Sequence, residues 1–172
     1  MLLPLLLIVL LAGAQLAELS THMARIHGRG VALHGVGGEA LQQAERVLAR
    51  AVDDVLSDPA VPFAGCAQGR CANGAGPDAA NYDWLTPGVQ QPVALGADWA
   101  AAYWLEWLGD LQAGESFDCV APVLRCRYWR LVAGAVRIGP DVRRTLETIY
   151  RIDSFPDGSQ AVRLSWRRAD RP

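Results

Sequence analysis

Hydrophobic positions run without interruption at the start of the chain. No side chain from residue 2 to residue 14 carries a charge, and the first ionisable one is Glu18. A helix over residues 1–19 would be about 28 Å long, close to the roughly 30 Å hydrocarbon core of a bilayer. The pattern therefore predicts an N-terminal anchor helix, assigned to residues 1–27. Its anchoring residues are Met1, Leu5, Leu6, Leu7, Ile8, Val9, Leu10 and Leu11.

The same apolar run has a second interpretation, a secretory signal peptide. Ala12-Gly13-Ala14 has the small-x-small pattern that precedes signal cleavage. A signal peptide usually starts with a positive charge, however, and no Lys or Arg precedes the apolar run. We therefore prefer the retained anchor and keep the cleaved signal as the alternative.

The period of the apolar positions becomes helical after a glycine-rich stretch over residues 28–38. One face of the segment 39–56 is apolar, and Ser57-Asp58-Pro59 follows it as a stop signal. A stripe of this kind is typical of packing surface, so we expect a helix that covers a sheet. The stripe consists of Leu41, Ala44, Leu48, Ala51, Val52 and Val55, and the polar side carries Gln42, Arg46, Arg50 and Asp53.

Residues 57–98 show neither the helical nor the strand period, which predicts a long irregular loop. Its expected anchors are the Cys66/Cys71 pair, Tyr82 and Trp84. Four residues of this segment carry oxygen donors that could bind calcium: Asn73, Asp78, Asn81 and Asp83. They lack the EF-hand spacing, which favours a plain solvated loop over a calcium site.

Alternating patterns predict a sheet over residues 99–168. Apolar residues recur at every second position in four runs, near residues 103–107, 129–133, 142–150 and 162–167. In the last run Val162, Leu164 and Trp166 are expected to face inward and the intervening arginines to face solvent. The predicted fold class is α+β, a long N-terminal helix packed on an antiparallel sheet of about four strands, with residues 28–172 as one globular domain.

Four cysteines form two close pairs, Cys66 with Cys71 and Cys119 with Cys126. An even count behind an export-like segment indicates disulfides in an oxidising compartment. Proximity favours pairing within each pair, although the sequence does not exclude crossed pairing. A zinc site is the rival interpretation, but the spacings are looser than those of most zinc ligands.

Charge is divided unevenly along the chain. Residues 1–124 carry 5 Arg and 13 acids (−8), whereas residues 125–172 carry 11 Arg and 5 acids (+6). We expect the basic end to contact an acidic neighbour rather than nucleic acid. The residues proposed for partner binding are Tyr82, Asp83 and Trp84 in the loop, and Arg163, Arg167 and Arg168 in the last strand.

No catalytic motif is present in the sequence. The three histidines are irregularly spaced, and there is neither a G-x-S-x-G elbow nor a phosphate-binding loop. The glycines at 35–38 precede a helix, but no strand precedes them, so a dinucleotide site is not favoured. The prediction is a protein that is not an enzyme and that uses no cofactor or metal.

Several segments follow one another in a distinctive order along the chain. After the hydrophobic start come the segments Met23–Gly30 and Ala40–Leu48, then an aromatic-led strand at Tyr103–Glu106. A cysteine-led strand at Cys126–Ala133 and a strand ending in tyrosine at Arg144–Arg151 complete the pattern. Together these segments, which span nearly the whole chain, resemble the type IV pilins, and more closely the minor pilins of the PilX kind.

The resemblance implies a bacterial protein held in the inner membrane, with its globular domain in the periplasm, before it enters a pilus. Other minor pilins and the major pilin are the implied partners, with a tip adhesin as a further candidate. Two features depart from the family: the cleavable leader is absent, and Leu5 stands where major pilins carry glutamate. The second departure implies a place at the fibre tip. The alternative function is an exported periplasmic binding or adhesion domain.

Overall fold

The computed structural model describes residues 35, 37–58, 60, 64–115, 119–139 and 142–169. The chain forms two compact units, Met1–Gly38 and Glu39–Pro172. The anchoring residues predicted in the first unit, Met1 and Leu5 to Leu11, lie outside the described residues. Within the described part of the chain, no helix is long and apolar enough to cross a membrane.

Among the described residues, one α-helix, α1, covers residues 37–57, and a short 3-10 helix covers Ala79–Asn81. Its apolar stripe is buried, as the helical period predicts, and Val47 belongs to it as well. The helix packs on one face of the sheet, where its side chains share a core with Tyr103, Leu105 and Trp129. The prediction of a packing helix over residues 39–56 is confirmed.

Four long strands follow one another in an antiparallel meander. They are β4 (Trp99–Gln112), β5 (Arg125–Arg137), β6 (Val142–Phe155) and β7 (Gly158–Arg168). Each lies at one of the four runs where the alternation predicts a strand, and each is longer than its run. A turn at residues 156–157 joins β6 to β7, inside the segment predicted as a turn.

Three short strands precede the meander: β1 (Cys66–Ala67), β2 (Arg70–Cys71) and β3 (Gln91–Pro92). Strand β2 pairs with β4 in parallel, and β3 pairs antiparallel to the same strand. The order is β1-β2-β4-β5-β6-β7, with β3 beside β4, which makes a mixed sheet of seven strands. The predicted fold class, a long N-terminal helix on a four-stranded antiparallel sheet, is therefore wrong. Part of the supposed irregular loop completes the sheet, because its backbone groups pair with the free edge of β4.

The opposite face of the sheet is also covered. Ala79 and Trp84 of the 64–98 segment pack there on Trp104 and Val132, and together these residues form a second apolar cluster. Both faces of β4 are therefore buried, which explains why Glu106 in the middle of the strand is only 4% exposed. Simple alternation does not predict this, because it assigns one face of each strand to solvent.

A β-bulge changes the faces of the last strand. In the register, Ile149 is opposite Ser165 and Tyr150 is opposite Arg163, so Leu164 is an extra residue. One extra residue shifts every following side chain to the other face. Arg163 and Trp166 consequently lie on the same face, and the predicted separation of apolar and arginine positions along β7 is wrong.

Candidate functional site

The two predicted disulfides are present. Cys66 and Cys71 are joined across the β1–β2 pair, and Cys119 is joined to Cys126 at the start of β5. All four sulfur atoms are used in these bonds, so the zinc alternative is wrong. The first bridge closes the β1 end of the sheet, where the strands are only two residues long.

The loop residues proposed for partner binding are anchors. The Trp84 ring stacks on Trp104 at 5.0 Å between ring centroids, and Tyr82 packs against both rings. Trp84 is only 4% exposed, and its Nε1 donates a hydrogen bond to Thr145 Oγ1 at 3.0 Å. The prediction that Tyr82 and Trp84 anchor the loop is confirmed, because both rings pack against the second core. Their contact with a partner stays a prediction, and the burial of Trp84 leaves little of that ring exposed for it.

Asp83 closes the turn that follows these anchors. Its carboxylate accepts hydrogen bonds from Thr86 Oγ1 at 2.7 Å and from the Leu85 amide at 3.0 Å. These two bonds, with the Thr86 hydroxyl first, hold the pKa of Asp83 below its usual value. Such a turn is a common local use of an aspartate. Asp83 is exposed, and its carboxylate serves the turn.

Four charged side chains cross strands β4 to β7 on the face covered by the loop. Arg130 Nη1 donates to Glu106 Oε2 at 2.8 Å, and Arg130 Nη2 donates to Glu147 Oε2 at 3.3 Å. Arg167 Nη2 then donates to Glu147 Oε1 at 2.8 Å. The other oxygen of Glu106 accepts the Gly74 amide at 2.8 Å. This ion ladder joins the second core to the outermost strand.

The ladder keeps Glu147 ionised although it is buried. Desolvation acts to raise the pKa of Glu147, but hydrogen bonds from Arg130 and Arg167 outweigh it and hold the pKa below its usual value. Burial likewise acts to lower the pKa of Arg130, and the hydrogen bonds to Glu147 and Glu106 raise it above its usual value. A buried charge is tolerated when it is paired and hydrogen-bonded in this way. The ladder is therefore structural, and it fixes β7 on β6 through Arg167.

Strand β7 is the edge strand at one end of the sheet and carries two exposed apolar side chains. No strand in the described part of the chain pairs with its outer edge. Leu164 is 49% exposed and Trp166 is 44% exposed. Trp166 pairs with Thr148 on β6 and lies on the face of the sheet that α1 covers. It does not belong to the core beneath the helix. Sequence reasoning missed this exposure because it assumed that every apolar position of a half-buried strand is covered.

The three predicted arginines of β7 do not share one face. Arg163 and Arg168 lie opposite Tyr150 and Leu146, on the face that contains Trp166. Arg167 lies on the other face, where its side chain is 70% exposed although it is paired with Glu147. Arg163 and Arg168 are exposed and form no ion pair with any residue that the structure describes. Basic and apolar groups thus alternate along one exposed edge.

A groove of about 1100 Å³ lies between the end of α1 and strands β2, β3 and β4. Arg70 spans it: Nη2 donates to the Asp54 carbonyl at 3.2 Å and forms an ion pair with the Asp54 carboxylate at 3.1 Å. Arg70 also donates to the carbonyls of Asp58 and Ala60, so it caps the helix end. Burial and, after it, the Asp54 carboxylate raise the pKa of Tyr103, at the groove wall, to about 12.

The described ranges contain no recognisable metal site. They contain no group of three His, Cys, Asp or Glu side chains arranged to hold an ion. Two of the possible calcium donors in the loop make hydrogen bonds within the protein: Asp78 accepts the Ala80 amide at 3.1 Å, and Asn73 donates to the Leu108 carbonyl on β4 at 3.1 Å. The exposed basic edge of β7 is the candidate functional site, because it combines exposed apolar and arginine side chains with a strand edge that no described strand pairs.

The chain matches no known family model, no curated protein and no solved structure.

Proposed function

We propose that this protein is a structural subunit of an assembly outside the cytoplasm, specifically a minor pilin of a type IV pilus. In this role it helps to initiate the fibre and lies at or near its tip, beside other minor pilins and the major pilin. The two disulfides support export, because such bonds persist in oxidising compartments. The sequence resemblance to the PilX kind supplies the specific system.

One observation carries the proposal: no strand among the described residues pairs with the outer edge of β7. Proteins that work as monomers usually protect a long edge strand, because its free backbone groups recruit other strands. Here an 11-residue edge strand keeps two large apolar side chains, Leu164 and Trp166, about half exposed. Exposed apolar groups beside charges are typical of interaction sites. An edge of this kind suits a subunit that binds neighbouring subunits in an assembly.

The proposal concerns the role of the protein. It does not depend on a pilin-like fold, which the seven-stranded mixed sheet replaces. It also does not use the loop residues Tyr82 and Trp84 as contacts, since both pack into the second core. The expected location is the inner membrane before assembly, with the globular part in the periplasm, and the pilus afterwards.

Labelled fibres test the proposal directly. A small epitope in the turn at Pro156-Asp157 would mark the protein in sheared surface fibres viewed by electron microscopy. We expect label at fibre ends and fewer pili in a strain that lacks the protein, with the number restored by the untagged gene. Label spread evenly along the shaft would exclude the tip position. Normal pilus number together with unlabelled fibres would refute the pilus role.

The state of the N-terminus distinguishes the alternative function. Mass spectrometry of the mature protein should show the apolar segment retained. A mature protein that begins at Gln15, together with unlabelled fibres, would instead identify an exported binding or adhesion domain.

A further inference from the structure

We propose that the free edge of β7 accepts an extended acidic segment from a different subunit, which adds a strand to the sheet. The inference deepens the proposed function, because it names the surface and the chemistry of the partner. It rests on that function only where it calls the partner a neighbouring subunit.

The backbone of β7 is suited to strand addition. The strand has 11 residues, which at about 3.3 Å per residue gives an edge of at most roughly 36 Å, and the bulge at Leu164 divides it into residues 158–163 and 165–168. It contains no proline, so every residue carries an N–H donor and a C=O acceptor. One side of the strand is paired with β6 over ten positions, which leaves the other side for a partner. Main-chain hydrogen bonds supply the affinity in this mode of recognition.

The edge is held in place before any partner binds. Arg167 donates to both oxygens of Glu147, at 2.8 and 2.9 Å, and Glu147 is tied in turn to Arg130 on the central strand. Next to Glu147 on β6, Thr148 Oγ1 donates to the Ser165 carbonyl of β7. A strand that is already ordered loses less conformational freedom on binding. The opposite end of the sheet offers a partner a much shorter edge, because β1 has only two residues.

Charge determines which strand fits. Residues 158–168 contain three arginines and no acid. A second copy paired through its own β7 would place arginines near arginines, and like charges across a strand pair are destabilising. A segment with carboxylates at alternate positions would instead pair with Arg163 and Arg168 on the face of Trp166. The apolar side chain at Trp166 then gives such a partner an anchor of the type that dominates binding energies.

The chain itself does not supply this segment. Each of the stretches that the structure leaves undescribed contains at most one acid, and residues 1–34 contain only Glu18 against two arginines. In the described part of the chain, the acidic residues of the sheet lie on β4 and β6, and each of them is already paired with at least one neighbouring strand of its own sheet. The partner is therefore a different protein, as in an assembly of unlike subunits.

A synthetic strand tests the edge on the full chain, purified in mild detergent. The probe is a fluorescein-labelled nine-residue peptide in which Glu alternates with Val, and binding is measured by fluorescence anisotropy. We expect micromolar binding and at least tenfold slower amide hydrogen exchange in residues 158–168. A peptide with Lys in place of Glu should bind at least tenfold more weakly. So should the acidic peptide with every backbone nitrogen methylated, because it keeps the charge and loses the N–H donors.

Two double variants compare the arginines of β7 with arginines elsewhere. Arg163→Glu with Arg168→Glu should weaken binding of the acidic peptide at least tenfold. The matched control, Arg46→Glu with Arg50→Glu on α1, changes the net charge equally and should stay within twofold of the original protein. Circular dichroism melting confirms that both variants are folded.

Four results would overturn the proposal: no binding of the acidic peptide, equal binding of its methylated form, protection confined to other strands, or equal losses in both double variants. The outcome is independent of the fibre experiment. Peptide binding without fibre label would refute the pilus role and keep the edge site. Fibre label without peptide binding would do the reverse, and the arginines would then serve only to keep the edge unpaired.

Discussion

Gly134 offers a sharp test of the second core, because the Trp84 ring lies directly on it. A Cβ atom at Gly134 would be 2.1 Å from Trp84 Cε2 and 2.3 Å from Cδ2. Favourable carbon contacts begin near about 3.5 Å, so in Gly134→Ala the ring would have to move by roughly 1.4 Å. That movement would break the 3.0 Å hydrogen bond from Trp84 to Thr145 and disturb the stack on Trp104.

The cost of Gly134→Ala can be estimated from these contacts. Overpacking of a core costs about 1–3 kcal/mol, and loss of one hydrogen bond costs about 1 kcal/mol. Alanine recovers about 0.5–1 kcal/mol because glycine loses more backbone freedom on folding. We therefore expect a loss of about 1–3.5 kcal/mol in the free energy of unfolding. Complete expulsion of the ring would set an upper limit near 5 kcal/mol, the cost of a buried Trp→Ala change.

Urea unfolding followed by tryptophan fluorescence measures this loss. In a Trp84→Ala background the clash is gone, so Gly134→Ala should cost less than about 0.5 kcal/mol, and the difference is the coupling energy. Gly38→Ala is the matched control: its Cβ would meet nothing within 4 Å, and in a helix the change should be stabilising. A loss below about 0.5 kcal/mol in the original protein, or an equal loss in both backgrounds, would refute the packing described here.

Three further predictions concern bonds and protons. Replacing Cys66 and Cys71 by serine should lower the free energy of unfolding by about 2 kcal/mol, the chain-entropy value for a short loop, and a loss below about 0.5 kcal/mol under non-reducing conditions would contradict it. Because the pKa of Glu147 is lowered in the folded protein, its contribution to stability is present above pH 4.5 and is lost as the pH falls. Glu147→Gln should flatten this part of the plot of unfolding free energy against pH. An unchanged plot would exclude the contribution. Burial raises the pKa of Tyr103 to about 12, so its ionisation should appear as a late step in the absorbance at 295 nm as the pH rises. The free energy of unfolding should fall between pH 10 and about 12, because the unfolded chain loses this proton first. Asp54→Asn should move the absorbance step to lower pH, since the Asp54 carboxylate helps to raise this pKa. A titration in which all tyrosines ionise near pH 10 would contradict this assignment.

Local pattern alone predicts much of this fold. The apolar stripe over residues 39–56 marks α1 because only one helical face can be buried against a sheet. The alternating runs after Trp99 mark the four long strands, and closeness along the chain selects both cysteine pairings. These features depend on neighbours a few residues apart, which a sequence displays directly.

Other features depend on residues that are distant in sequence. The parallel pairing of β2 with β4 and the burial of Glu106 follow from the 64–98 segment folding over the sheet, and no local period records that. The ion ladder needs a register that places Arg130 between Glu106 and Glu147 on adjacent strands.

The candidate site shows the same division. The sequence indicates a basic last strand, since its arginines can be counted directly. Only the tertiary structure shows that β7 ends the sheet, that the extra residue Leu164 places Arg163 beside Trp166, and that the helix leaves this face open. A single inserted residue reverses the faces of a strand, and it is visible only once the partner strand is known.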